Sequence, residues 1–172
     1  PITRGRAFYW LGRTAEARGD RGAADGYYGQ GAQYYTTFYG QLAAEKLGRK
    51  LVLGTDPRLN DADRSRFESR DTVRAVRLLN EIGERNLFKT FVLALDDILP
   101  TVEEQALLVD LVRNYGDQDT SMKVVRTAAQ RGFILPERGY PLRTPPSVAG
   151  APEVALTLGI TRQESGFDPS VR

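Results

Sequence analysis

The sequence predicts an all-α protein whose main body is an α-solenoid of short helical hairpins. Three observations carry this. Apolar residues recur at helical spacing in one segment after another. Short turns containing Gly or Asp separate those segments. No stretch keeps the period-two alternation of a half-buried strand. The 172 residues, 41% hydrophobic and 27% charged, suffice for a real core and exclude a disordered chain.

Taken in order, Ala7, Leu11, Ala15 and Arg18 sit at helical spacing, and Gly19 stops the first helix. Asp20 is a candidate cap for a second helix running to about Tyr34, with small residues Ala23, Ala24 and Gly31 inside it. Thr36 or Thr37 caps a third, Phe38 to Leu47, closed by Gly48. Leu51 to Phe67 reads as a charged connection. Asp71 is the expected cap of Thr72 to Ile82, where Val73, Val76, Leu78, Leu79 and Ile82 form a broad apolar stripe. Asn86 to Leu99 follows, with Leu87, Phe91, Leu95 and Leu99 spaced at i+4 and Pro100 ending it. Thr101 and Glu104 read as a capping box for Val102 to Tyr115. Asp119 or Thr120 opens the next helix, which ends at Gly132.

From Gly132 to Pro152 the texture changes. Pro136, Pro141, Pro145, Pro146 and Pro152, with Gly139 and Gly150, make a semi-rigid linker. The expected organisation is therefore a helical superhelix over 1–132, a linker over 133–151 and the start of another domain over 152–172. Pro152 at the first helical position and Glu153 in the first turn suit the opening of a final helix. Its apolar residues Val154, Ala155, Leu156, Leu158 and Ile160 point nearly all round, which predicts burial on most sides.

A net charge of +2 is too balanced to argue for nucleic acid or anionic lipid. The chain contains neither Cys nor His, which removes disulfides, zinc-thiolate sites, His general bases and Ser-His dyads within it. No metal or cofactor is expected. No apolar run is long enough to span a bilayer and no leader pattern is visible. A start at Pro1 rather than Met and an end in the middle of a motif predict an internal piece of a longer protein.

The residue with chemical promise is Glu164, at the end of the final helix and in an apolar row with Leu156 and Ile160. A carboxylate there opposes the helix dipole, a poor place for stability and a good one for an acid that holds its proton. The alternative is a frayed, solvated last turn, since glutamate is rarely buried without a partner. Arg162 and Gln163 read as surface residues. Ser165 can bond a carbonyl of the preceding turn, and as a nucleophile it has no His base. Asp168 precedes Pro169 and reads as a turn rather than half of a two-carboxylate pair. The aromatics Tyr27, Tyr28, Tyr34, Tyr35, Phe38 and Tyr39 read as packing between helices. Arg64, Arg66, Arg70, Arg74 and Arg77, interleaved with Asp61, Asp63, Glu68 and Asp71, read as a salt-bridged surface.

Tyr9 to Gly12, with Ala15, Gly19, Asp20 and Ala24, resembles one tetratricopeptide-like hairpin. The closing segment, Ala155 to Pro169 with Arg162, Gln163, Glu164, Ser165, Phe167 and Pro169, resembles the first catalytic motif of the soluble lytic murein transglycosylases. Gly139 to Leu142 is similar to that family's approach to its catalytic domain, and Thr37 to Glu45 to its helical superhelix. The resemblance implies a lyase with a goose-lysozyme-like domain, truncated here, that cleaves the MurNAc–GlcNAc bond of peptidoglycan to leave 1,6-anhydro-muramyl ends. It implies Glu164 as the single acid/base, Ser165 as a positioning group and a place in the periplasm or cell envelope. The family's later Gly-Leu-Met-Gln and Ala-Tyr-Asn-Ala-Gly motifs are absent, so the stretch alone is expected to be inactive. The partner implied is the peptidoglycan glycan strand, with no nucleic acid. The competing reading is a helical-repeat interaction module whose last helix caps the array.

Overall fold

The computed structural model describes residues 1–169, and among these it contains ten α-helices and no strand. The all-α class is therefore as expected. The end of the predicted 152–172 segment, residues 170–172, lies outside the described residues. No helix among those described is long and apolar enough to cross a membrane. The chain divides into two compact units, Pro1–Leu53 and Gly54–Arg172. That division falls inside the array expected over 1–132, and the expected linker over 133–151 lies within the second unit.

The first unit has three helices, α1 (Ile2–Ala17), α2 (Arg21–Ala32) and α3 (Phe38–Lys46). The expected caps form: Asp20 accepts the Ala23 N–H at 3.0 Å and Thr37 that of Gly40 at 3.2 Å. Gly19 takes a left-handed turn at φ +77 that lets α2 fold back on α1. The core is Tyr9, Ala15, Ala24, Tyr28 and Ala43. Small residues let the helices close: a Cβ added at Gly12 would stand 2.5 Å from the Tyr28 ring. Trp10 and Phe38 stay largely exposed; Tyr9 and Tyr28 are the buried rings between these helices, with Tyr27 and Tyr39 packed against them. Glu16 of α1 joins all three, accepting from the Tyr28 hydroxyl at 2.8 Å and from Lys46 Nζ at 3.0 Å. Burial first, and the Glu16 bond second, push the Tyr28 phenol up to about 12.

The second unit begins with a helix where a connection was expected. α4 (Asp61–Glu68) is opened by Asn60, whose side chain accepts from Asp63 N–H while the Asp63 carboxylate accepts from Asn60 N–H. That capping box, with Phe67 buried, organises a segment whose hydrophobic pattern is weak. The helices α5 (Asp71–Glu81), α6 (Arg85–Ile98), α7 (Val102–Asn114) and α8 (Gln118–Gln130) build the core with it. Asp71 is not the cap of α5 but lies within its first turn, Arg70 holding the cap position without a side-chain bond. On α6 the buried row is Phe88, Val92, Leu95 and Leu99, while Leu87 and Phe91 are exposed. One residue of phase turns a helix by about 100°, enough to move half the expected row to the outside.

α7 is buried on most of its surface, from Ala106 to Val112. Thr101 caps it, accepting from the Glu104 N–H at 3.2 Å, but the box is half made. The Glu104 side chain is fully buried and takes two bonds from Arg70 instead, at 3.0 and 3.1 Å. A bidentate, charge-assisted pair outweighs one bond back to the cap. The cap of α8 is Asp117 rather than Asp119 or Thr120; its carboxylate accepts both the Thr120 N–H and hydroxyl, at 2.9 and 2.8 Å. In the Arg-rich stretch Arg77 pairs with Glu68 on the surface as expected, at 2.5 Å, whereas Arg66 reaches the buried Asp63, also at 2.5 Å, and Arg70 the buried Glu104.

Part of the Pro-rich stretch is built into this unit. Leu135 and Pro136 are buried and start the single turn α9 (Pro136–Gly139). Asp56 accepts the backbone N–H groups of Glu137 and Arg138, and the Arg138 guanidinium pairs with Asp56 at 2.6 Å and Asp110 at 2.5 Å. Residues 141–148 have no regular structure, and α10 (Val154–Ser165) follows.

Candidate functional site

Glu164 stands in the last turn of α10. The helix starts two residues later than expected: Val154 is its first residue, Glu153 is the cap and Pro152 lies outside it. The expectation of burial on most sides is not met, since no residue of α10 is buried. Val154, Leu156 and Ile160 are each more than half exposed. The physical reason is that the helix is held at its last turn, mostly by polar groups, and not along an apolar seam.

That hold is dense. Arg162 Nε donates to the Gly139 carbonyl at 2.7 Å, and its guanidinium lies 4.4 Å from the centre of the Tyr140 ring. Arg126 of α8 donates to the Arg162 carbonyl at 2.6 Å, and Gln118 to that of Gly166 at 3.3 Å. Arg113 of α7 donates to the Arg138 carbonyl at 2.5 Å, next to Gly139. Burial lowers the Arg162 and Arg113 guanidinium pKa values, whereas Asp110 leads the causes that raise Arg138. Arg162, read from sequence as a surface residue, is therefore the anchor of the motif.

Gly166 ends the helix at φ +59 and is buried, 3.3 Å separating a Cβ placed there from Met122. A side chain at this position would meet both that contact and an unfavourable backbone. Phe167 also takes a left-handed conformation, φ +64, which a bulky residue rarely adopts. Its ring lies under Arg143, 5.8 Å from the guanidinium carbon. The backbone N–H of Asp168 returns to the Ser165 carbonyl at 3.0 Å, so Asp168 belongs to the turn, as its place before Pro169 predicts.

Glu164 and its neighbour Gln163 are exposed, and Glu164 continues the solvent-facing row of Leu156 and Ile160. Ser165 is half-buried and its hydroxyl donates to the Thr161 carbonyl at 3.0 Å, the bond to the preceding turn expected of it. So placed, Glu164 can give and take a proton at the surface of α10, while the Ser165 hydroxyl is committed to the helix. A small cleft lined by Leu79, Gly83, Phe88, Tyr115 and Asp117 has no member in common with this network. Its space of about 70 Å³ is far below the roughly 300–1,000 Å³ of ordinary ligand pockets. Among the described residues no group of three or more His, Cys, Asp or Glu could hold a metal ion.

Sequence reasoning missed Arg113, Gln118, Arg126 and Tyr140 as parts of this site. Their contacts with 138–166 join residues 22 or more positions apart, so no local pattern announces them. Set beside protein families, curated proteins and solved structures, the chain matches none of them.

Proposed function

We propose that this chain is part of a soluble lytic murein transglycosylase, with Glu164 as its acid/base. The observation that carries the reading is the motif itself: Arg162, Gln163, Glu164, Ser165, Phe167 and Pro169 in order at the end of an apolar helix that follows a helical array. The strained Phe167 turn directly after the glutamate adds support, because such outliers gather at functional sites. In this reading Glu164 protonates the oxygen linking MurNAc to GlcNAc as that bond breaks. The 6-hydroxyl of the same MurNAc closes on C1 and returns its proton to Glu164. The product is a 1,6-anhydro-muramyl end, no water is consumed, and one carboxyl serves both steps, unlike the usual glycosidase pair. Ser165 helps hold the last turn. The partner is the glycan strand of peptidoglycan, the location the periplasm or cell envelope, and the preceding hairpins a tetratricopeptide-like superhelix.

Purified murein sacculi treated with the full-length protein are expected to release anhydro-muropeptides. Glu164→Gln is expected to lower that release by about 10²–10⁴-fold, the usual contribution of a general acid/base, with the melting curve unchanged. Full activity in that variant removes Glu164 from the mechanism. The second reading, a helical-repeat interaction module, is favoured by exposed Leu78, Ile82, Leu87 and Phe91. It predicts a folded protein that leaves sacculi intact.

A further inference from the structure

Arg162 is gripped twice. Its side chain is held by the Gly139 carbonyl and the Tyr140 ring, and its own carbonyl by Arg126. That carbonyl also accepts the Gly166 N–H that closes the helix, at 3.2 Å. Two residues further along a helix is a rotation of about 200°, so turning Arg162 inward turns Glu164 outward. Apolar burial adds little within α10, none of whose residues is buried, although Gly166 just past its end packs on Met122. The grip is itself rigidly mounted. Gly139 and Tyr140 follow directly on Arg138, which Asp56, Asp110 and Arg113 hold in place. Arg126 comes from α8, whose Val124, Val125 and Ala128 lie in the core.

We propose that Arg162 and Arg126 are positioning residues for Glu164: together they lock the rotation of the last turn of α10 and so aim the carboxylate. This rests on the lytic reading above. Neither guanidinium is assigned a contact with substrate. Their effect on turnover comes through where the carboxylate stands, and misplacement of about 1 Å can cost on the order of 100-fold in rate.

The test compares the full-length wild type with Arg162→Ala, Arg162→Lys and Arg126→Ala, using soluble murein glycan chains as substrate. Release of anhydro products gives kcat and KM, and amide hydrogen exchange reports on residues 154–168. Both alanine variants are expected to lose about tenfold or more in kcat, with KM within about twofold. Exchange should quicken in α10 and stay as in the wild type in α7. Lysine keeps a charge over Tyr140 and one donor, and should recover part of kcat. Unchanged kcat in either alanine variant overturns the proposal. So does a loss of kcat with α10 exchange as in the wild type, or a lysine variant no better than alanine. If Arg162→Ala does not fold, Tyr140→Leu removes the ring face and takes its place with the same expected outcome. A wild type that releases no anhydro product overturns the lytic reading, and the positioning role with it. An active wild type with insensitive variants overturns the positioning role alone.

Discussion

Gly12 shows how much one missing atom decides. A Cβ there would lie 2.5 Å from the buried ring of Tyr28, so the ring must move if Gly12 becomes alanine. Moving it strains the Tyr28 bond to Glu16, which links α1, α2 and, through Lys46, α3. Gly12→Ala is expected to destabilise the first unit by about 1–3 kcal/mol, measured by urea unfolding. An unchanged midpoint would mean that the ring shifts freely. The same phenol predicts an alkaline limb. Its pKa rises from 10.0 to about 12 on folding, so between those values the native state keeps a proton that the unfolded chain releases. Stability therefore falls as pH rises through that window, and Tyr28→Phe should flatten the fall. Tyr and Gly were legible as a close-packed hairpin pair; which Tyr met which Gly was not, since the sequence pattern is shared by Trp10, Tyr27 and Phe38.

Helices in this chain were legible wherever start and stop signals are local. Asp20, Thr37 and Thr101 accept the bonds expected of caps, and the turns at Gly19, Gly48 and Gly83 have positive φ. Errors arose where two adjacent residues could do the same task. Asp117 caps α8 although Asp119 and Thr120 stand close by, and α6 packs through Phe88 and Val92 although Leu87 and Phe91 have the same spacing. Asp117→Ala should cost about 1–2 kcal/mol, because two bonds to Thr120 are lost, whereas Asp119→Ala should leave the denaturation midpoint nearly unchanged. Equal effects would contradict the cap assignment. At the cap of α5, Arg70→Met leaves the fully buried Glu104 carboxylate of α7 without its bidentate partner, and a loss of about 3 kcal/mol is expected. Adding Glu104→Leu to that variant should recover much of the loss, since the cost lies in the unpaired charge.

The two units differ in what holds them. The first has a small core of Tyr9, Ala15, Ala24, Tyr28 and Ala43, within Pro1–Leu53. The second buries a larger set that includes Phe67, Leu95, Leu108 and Leu135. Chains near the lower length limit bury a smaller fraction of their surface, so Pro1–Leu53 expressed alone is expected to be marginal. Gly54–Arg172 alone should keep slowly exchanging amides in α7 and a cooperative melt; a non-cooperative melt would show that its core is not sufficient. The all-helical class, the positions of most helices and Glu164 at the end of the last one follow from sequence alone. Helical hydrogen bonds and caps join residues three or four apart, and these can be read along the chain. Only the tertiary structure decided which face of α6 is buried, that Glu104 answers Arg70 rather than its own cap, and that Arg162 turns inward while Glu164 turns out. Each of these depends on a partner distant in sequence, and its energy exists only once the helices have packed.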